Sequence, residues 1–434
     1  MKLRIKDIDM LLLVCIYLLL FLVYPFFPMK PIIAYSIVYI FTSLVFIPLS
    51  ALFVIRRNIS KSNFRVLLAI ALILRIGLIS VNPTGSDDYY RYLWDGKVMA
   101  HRINPYKYAP DDPALVKLHS KNLPSKVSFP YIKTIYPPLA ECLFCGAYLI
   151  GGEHFIGLKI LLLLFDLLTI AGILLILNKL KLRYENVLLY ALSPLVLFQF
   201  FVDSHVDGFG ISFLIFALFF YLDGKKILSY ILLGLSICIK PTPLILIPII
   251  FFSERNTIER IKALFIPGIV CLFFYIPFVF SGSPFQALIQ YAENWTFNGI
   301  VFNLLNLFIN DNQKSRALCA LLLAISYFPV LTSKKSITEK IYLSVFLLLI
   351  FSPVVHPWYL SWLVAILPLE PELSGIAYVN LVSLTSLTVV TYQLTGLWKE
   401  YPFVLLAEYL PVLLIFIFEV MKKDRTPLIN PPLI

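Results

Sequence analysis

PIIAYSIVYIFTSLVFIPLSALFVI, Pro31 to Ile55, contains no charged side chain. Wound as a helix it is about 37 Å long, more than the roughly 30 Å hydrocarbon core of a bilayer. Similar apolar segments run at about 10–28, 65–81, 154–178, 185–200, 209–222, 228–252, 261–280, 316–331, 341–355, 357–369, 375–397 and 401–421. Lipid offers no partner to a free backbone N–H or C=O, so these segments must be helices. The whole chain of 434 residues is 60% hydrophobic and 14% charged, with a mean hydropathy of +0.86. No soluble domain of that length can bury so much apolar surface. The expected fold is an all-α polytopic membrane protein, a bundle of about 12–13 transmembrane helices forming one integral membrane domain over residues 1–434. No internal repeat is visible.

Two polar excursions interrupt the apolar pattern, 82–135 and 281–315. Neither is Gly/Ser-rich, so both are expected to fold onto the bundle as external loops. The chain carries 36 Lys and Arg against 25 Asp and Glu, a formal charge of +11. In a membrane protein such an excess marks cytoplasmic loops rather than nucleic-acid binding. Lys2, Arg4 and Lys6 put the N-terminus inside, where the first apolar segment reads as a retained span because no small-residue cleavage site follows it. Arg56, Arg57, Lys61 and Arg65 put the next connection inside, so the third span delivers 82–135 to the outside. Two segments are awkward: 137–151 is short for a span, and 228–252 is broken by Lys240–Pro243. Whether both span or both re-enter, 281–315 and His356 fall outside and the Lys422–Arg425 tail inside. Asp87, Asp88 and His356 therefore share a face under either arrangement. Of the six cysteines, Cys142 and Cys145 form a C-x-x-C without a second pair or nearby His, a poor metal or redox motif.

The first excursion opens with TGSDDYYRYLWDGKVMAHRINPYKYAPDD, Thr84 to Asp112. Asp87 and Asp88 can cap a helix starting near Tyr89, with Ser86 helping. They can also do chemistry. Asp88, Arg91, Tyr92 and Asp95 recur at helical spacing and would line one side of a short interfacial helix. One carboxylate could then act as general base while Arg91 holds a phosphate. Trp94 and most of the tyrosines fit an interfacial aromatic belt.

Further polar groups break the apolar run elsewhere. VDSHVDG, Val202 to Gly208, offers Asp203, His205 and Asp207 as a cation site, a hydrogen-bonded turn or the lining of a substrate cavity. Lys240 either snorkels to the interface or meets a lipid phosphate. SPVVHPWYLSWLV, Ser352 to Val364, adds His356, free to donate to a phosphate or shuttle a proton, with Trp358, Tyr359 and Trp362 beside it. Asn298, Asn303 and Asn306 read as caps or turn residues.

These blocks, with TIYPPLAE (Thr134 to Glu141) and IKPTPLILIP (Ile239 to Pro248), resemble in order the bacterial polyprenyl-phosphate-sugar-dependent glycosyltransferases of the GT-C superfamily. The chain is most similar to those alpha-mannosyltransferases that use polyprenyl-phosphomannose. The resemblance implies a many-helix membrane enzyme that moves a sugar, most readily mannose, from a lipid-phosphate carrier to a lipid or glycan acceptor on the outer face of a bacterial-type cell membrane. It implies Asp88, or else Asp87, as general base in an inverting displacement. It implies substrate contacts from Arg91, Tyr92, Asp95, Tyr136, Glu141, Asp203, His205, Asp207, Lys240, His356, Trp358 and Tyr359, with His356 on the donor phosphate. No cofactor is required, and a divalent cation is allowed for but not favoured. Glu141 departs from the family pattern, which has Gln there, and Arg102 stands where a small residue is usual; both bear on the acceptor and the sugar. The rival reading is a transporter or flippase for a lipid-linked sugar. It would call for paired broken helices at the midplane rather than a charged cluster in an external loop.

Overall fold

The computed structural model describes residues 5–26, 29–55 and 59–425. Of the basic residues used for orientation, Lys2, Arg4, Arg56 and Arg57 lie outside the described residues, as do the side chains of Lys6 and of the tail beyond Lys422. The protein is an all-α polytopic membrane protein. Among the described residues the β pairing is confined to isolated bridges that join Phe297 and Asn298 to Val354.

Six described helices are long and apolar enough to cross a membrane: Pro31–Val54, Ile156–Lys179, Thr257–Val279, Asn312–Thr332, Leu373–Thr395 and Pro402–Lys422. A bent pair, Tyr184–Ala191 and Pro194–Val202, meets at 46° and supplies a seventh if taken as one span. Other apolar segments form shorter helices, among them Met10–Val23, Pro138–Gly151, Asp207–Leu222 and Lys226–Ile237. Polar and proline-containing stretches cut them short. The break expected at Lys240–Pro243 is one such cut, where the Lys226–Ile237 helix gives way to a 3₁₀ turn at Thr242–Ile245 before Leu246–Ser253. The Thr257–Val279 helix turns Ile258, Ile261, Leu264, Phe265, Ile269, Leu272, Phe273 and Ile276 outward. That exposure at helical spacing makes sense only against lipid.

Three helices carry the first polar excursion. Asp88–Ala100 lies against Pro138–Gly151, which packs in turn on Ile156–Lys179. Glycine makes the first contact possible: a Cβ on Gly96 would stand 2.2 Å from the Phe144 carbonyl oxygen. The Pro138–Gly151 helix ends at Gly152, φ +60°, and its first free amides, Leu139 and Ala140, donate to the Cys238 carbonyl at the end of another helix. Trp94, expected in an aromatic belt, is instead 1% exposed, and Tyr92 and Tyr106 are buried with it. The loop is thick enough to have a core of its own, built from Tyr92, Leu93, Trp94, Leu115 and Phe144.

Deep in the bundle the Arg75 guanidinium grips Asp166 at 2.5 Å, and both side chains are wholly buried. Tyr190 donates to the same carboxylate at 2.8 Å, and Arg75 also donates to the Ala71 and Ala191 carbonyls. Every strong group in this cluster is matched, as buried charge requires.

Candidate functional site

The chain reaches the site through a distortion. Leu197–Val202 is wound as a π-helix, and Ser204 follows in the left-handed region at φ +67°. π turns and left-handed non-glycine residues are costly and collect at functional sites. The result presents Asp203, His205 and Asp207 in three directions. Asp203 accepts from the backbone amides of Thr84 at 3.1 Å and Gly85 at 2.8 Å, and from the Tyr35 hydroxyl at 2.6 Å. This clasp fixes the turn that leads into Asp88. It also explains Gly85, whose Cβ would fall 2.4 Å from the Tyr35 ring. Burial raises the Asp203 carboxyl to about 6, against the hydrogen bonds that favour its charge. Asp203 thus shapes the site rather than lining a free cavity.

Asp88 is the first residue of the Asp88–Ala100 helix, and its amide donates to Ser86. Asp87 stands at the N-cap position but does not cap: its carboxylate accepts from Ser128 instead. The expected capping by Asp87 is therefore replaced by a tie between two parts of the loop. The Tyr92 hydroxyl sits between the Asp88 carboxylate, at 3.5 Å, and Nδ1 of His205, at 3.4 Å. His205 is itself 3.8 Å from Asp88. Its burial, with Lys240 and His356 nearby, holds the imidazole well below its usual range, so it is neutral. The Asp88 side chain is 33% exposed while His205 beside it is wholly buried, so the carboxylate stands at the foot of a recess. Burial and then the neighbouring Asp87 raise its pKa to about 7, only partly offset by Lys240. A carboxylate held there can take a proton at neutral pH.

The rest of the predicted helix face points to a second network. Arg91 donates through Nε to Asp95 at 2.7 Å and through a terminal nitrogen to the Ile132 carbonyl. Glu141 accepts from Thr134 at 2.5 Å. The second terminal nitrogen of Arg91, Oε2 of Glu141 and Nε2 of His205 are buried without a hydrogen-bond partner among the described residues. Tyr136 packs edge-on against Tyr92, with ring centres 5.2 Å apart. The far end of the helix is anchored by Lys97, which donates to Glu153 at 2.7 Å.

Facing Asp88 is a file of stacked rings. His205 lies on Trp358 at 3.8 Å, Trp358 on His356 at 4.3 Å, and His356 on Phe297 at 4.7 Å. The bridge at Phe297 and Val354 holds the last pair together, through Val355 N–H to the Phe297 carbonyl at 2.7 Å. Burial beside Lys240 lowers His356 to about 3, leaving it a neutral donor and acceptor. Lys240 is neither snorkelling nor unpartnered: Asp207 holds it at 2.7 and 2.9 Å, and Trp362 donates to the same carboxylate. Its ammonium also sits 4.1 Å from the centre of the Tyr359 ring. Among the described residues no three His, Cys, Asp or Glu converge as a cation site. Asp203 and Asp207 are instead turned apart by their separate partners.

All the predicted site residues thus fall into a few linked clusters, with Asp88 and His356 joined through His205 and Trp358. Sequence reasoning missed Tyr35, Phe297 and Tyr291. Tyr291 shares a 2.8 Å hydrogen bond with Tyr359. All three act across long sequence separations from positions that no motif marks. Asn298, which reads as a cap or turn residue, instead forms the isolated bridge to Val354 at φ +52°, with its amide side chain donating to Glu408.

The family model described as alpha-(1->6)-mannopyranosyltransferase, N-terminal domain, matches residues 22–253, just over half of the chain. The matched region holds Asp88, Arg91, Glu141, His205 and Lys240; His356 and Trp358 lie beyond it. No curated protein matches the sequence.

Proposed function

This chain belongs to the alpha-(1->6)-mannopyranosyltransferase family and is a glycosyltransferase, and from that premise we propose a donor, a chemistry and a membrane face. The donor is a polyprenyl-phosphate-linked sugar, most readily mannose, as expected of a GT-C enzyme. The acceptor is a hydroxyl of a lipid or glycan. The recess opens on the outer face of the membrane, which the basic loops and the shared face of Asp88 and His356 support.

Asp88 takes the proton of the acceptor hydroxyl. The freed oxygen forms its bond to the anomeric carbon as the bond from that carbon to the phosphate oxygen breaks, with inversion. Polyprenyl phosphate leaves with the electron pair. Its growing charge meets hydrogen-bond donors and the Lys240 ammonium, fixed in place before the reaction begins. Tyr92, placed between Asp88 and neutral His205, orients the carboxylate by a long hydrogen bond without saturating it, so that Asp88 becomes a neutral acid once it holds the acceptor's proton. The observation that supports this most is Asp88 itself: an accessible carboxylate with long contacts and a pKa of about 7, facing a file of rings that carries His356. The test is to incubate the detergent-purified chain with polyprenyl-phosphomannose and candidate acceptors and to seek a mannosylated product by mass spectrometry. Release of free mannose with no transfer to any hydroxyl acceptor would overturn the proposal.

A further inference from the structure

Next to Ser128, which donates to Asp87, stands an aromatic corner that the chemistry above does not use. Phe129 and Tyr131 meet nearly at right angles, ring centres 6.3 Å apart and planes at 84°. They are 49% and 65% exposed. Phe129 stands edge-to-face on Trp295 of the second external loop, at 5.1 Å. Trp295 is stacked on Tyr291, whose hydroxyl bonds Tyr359 beside Lys240. Arg316 pins the same loop by donating to the Trp295 and Ala292 carbonyls. On the other side, Ser128 donates to Asp87, one residue from Asp88. Phe129 itself is held at φ +51°.

A bulky residue rarely adopts a left-handed backbone, and such strain persists only where surrounding contacts enforce it. A ring that merely rests at the membrane interface needs neither the strain nor two loops locked around it. The geometry points to a seat for a pyranose: the Phe129–Tyr131 corner, backed by Trp295, binds the acceptor sugar whose hydroxyl Asp88 deprotonates. A pyranose carries one face of C–H bonds made electropositive by the ring oxygens. That face complements the electron-rich face of an aromatic ring. The hydroxyl edge is then left for Asp87 and Lys126, whose ammonium lies 5.3 Å from the centre of the Tyr90 ring, two residues along the helix from Asp88. The proposal rests on the transferase reading and names its acceptor subsite.

The experiment uses the full chain in detergent, with octyl alpha-D-mannopyranoside as acceptor and lipid-free alpha-1,6-mannobiose as binding probe. Phe129→Ala and Tyr131→Ala should each raise the acceptor KM at least fivefold, leave kcat within twofold and leave the donor KM unchanged. Phe129→Tyr and Trp295→Phe should restore most of the affinity. Saturation-transfer NMR should show mannobiose binding to the wild type and to Asp88→Asn, and its loss in Phe129→Ala. An unchanged acceptor KM in both alanine variants overturns the seat. So does mannobiose binding that ignores Phe129 while octyl mannoside binding depends on it, because the corner would then hold the alkyl chain. Absence of any wild-type turnover would fail the transferase reading, while the mannobiose measurement would still decide the seat.

Discussion

Two of the carboxylates packed among the helices, Asp166 and Asp88, are treated by the fold in opposite ways. Asp166 is saturated: Arg75 at 2.5 Å, Tyr190 at 2.8 Å and no exposure. Asp88 has only long contacts, at 3.5 and 3.8 Å, a third of its side chain open, and an unpartnered imidazole nitrogen beside it. A buried charge that has everything it needs holds helices together and has nothing to offer a substrate. A charge kept short of partners, in reach of solvent, is poised to take a proton. The contrast separates structural from chemical acidity without reference to any motif.

The most forceful way to break this contrast is Asp88→Asn. It should lower kcat on the order of 10²–10⁴-fold, the range general bases contribute, with the thermal midpoint unmoved. A fall in both would put Asp88 in the same class as Asp166. The mirror experiment is Asp166→Ala, which strands the Arg75 guanidinium in a dry interior and should cost about 3–5 kcal/mol of stability. Detergent-solubilised unfolding would read it, and the folded fraction should keep its KM values. Replacing both partners, Arg75→Met with Asp166→Leu, should recover most of that loss.

Asp203→Asn sharpens the comparison from between the two extremes. Asp203 is saturated like Asp166, yet its partners are the Thr84 and Gly85 amides that lead into Asp88. Hydrogen bonds to a charged group are worth about 1.5–3 kcal/mol. The loss should show as a kcat reduced roughly ten- to hundredfold, with acceptor and donor KM little changed. The smallest effect is on pH. Because Asp88 must be ionised to act and its pKa is raised to about 7, kcat/KM should fall about tenfold per unit below that pH and level off above it. Asp87→Asn removes a charge that helps raise Asp88, so the midpoint should move to lower pH. A profile that ignores Asp87 would mean that the base is another group.

The membrane character of the chain was legible in its composition, because uncharged runs such as Pro31–Ile55 allow no other form. The spacing of Asp88, Arg91, Tyr92 and Asp95 was equally legible, since a helix repeats every 3.6 residues whatever surrounds it. What the sequence hid was allocation. Nothing local tells that Asp203 serves a backbone turn, that Asp207 is spent on Lys240, or that Asp87 turns from its helix to Ser128. Those partners lie 118, 33 and 41 residues away. Trp94 misled for a related reason: beside a span it reads as interfacial, and only the thickness of the folded loop buries it.

The file of rings carries one more consequence. The recognised family region ends at residue 253, yet His205, inside it, is covered by Trp358 and His356, beyond it. The boundary of the signature is thus no seam in the molecule. A fragment cut there would keep Asp88 and lose the surface that faces it, so the earlier half should be inert alone and recover only when the later half is supplied in the same membrane.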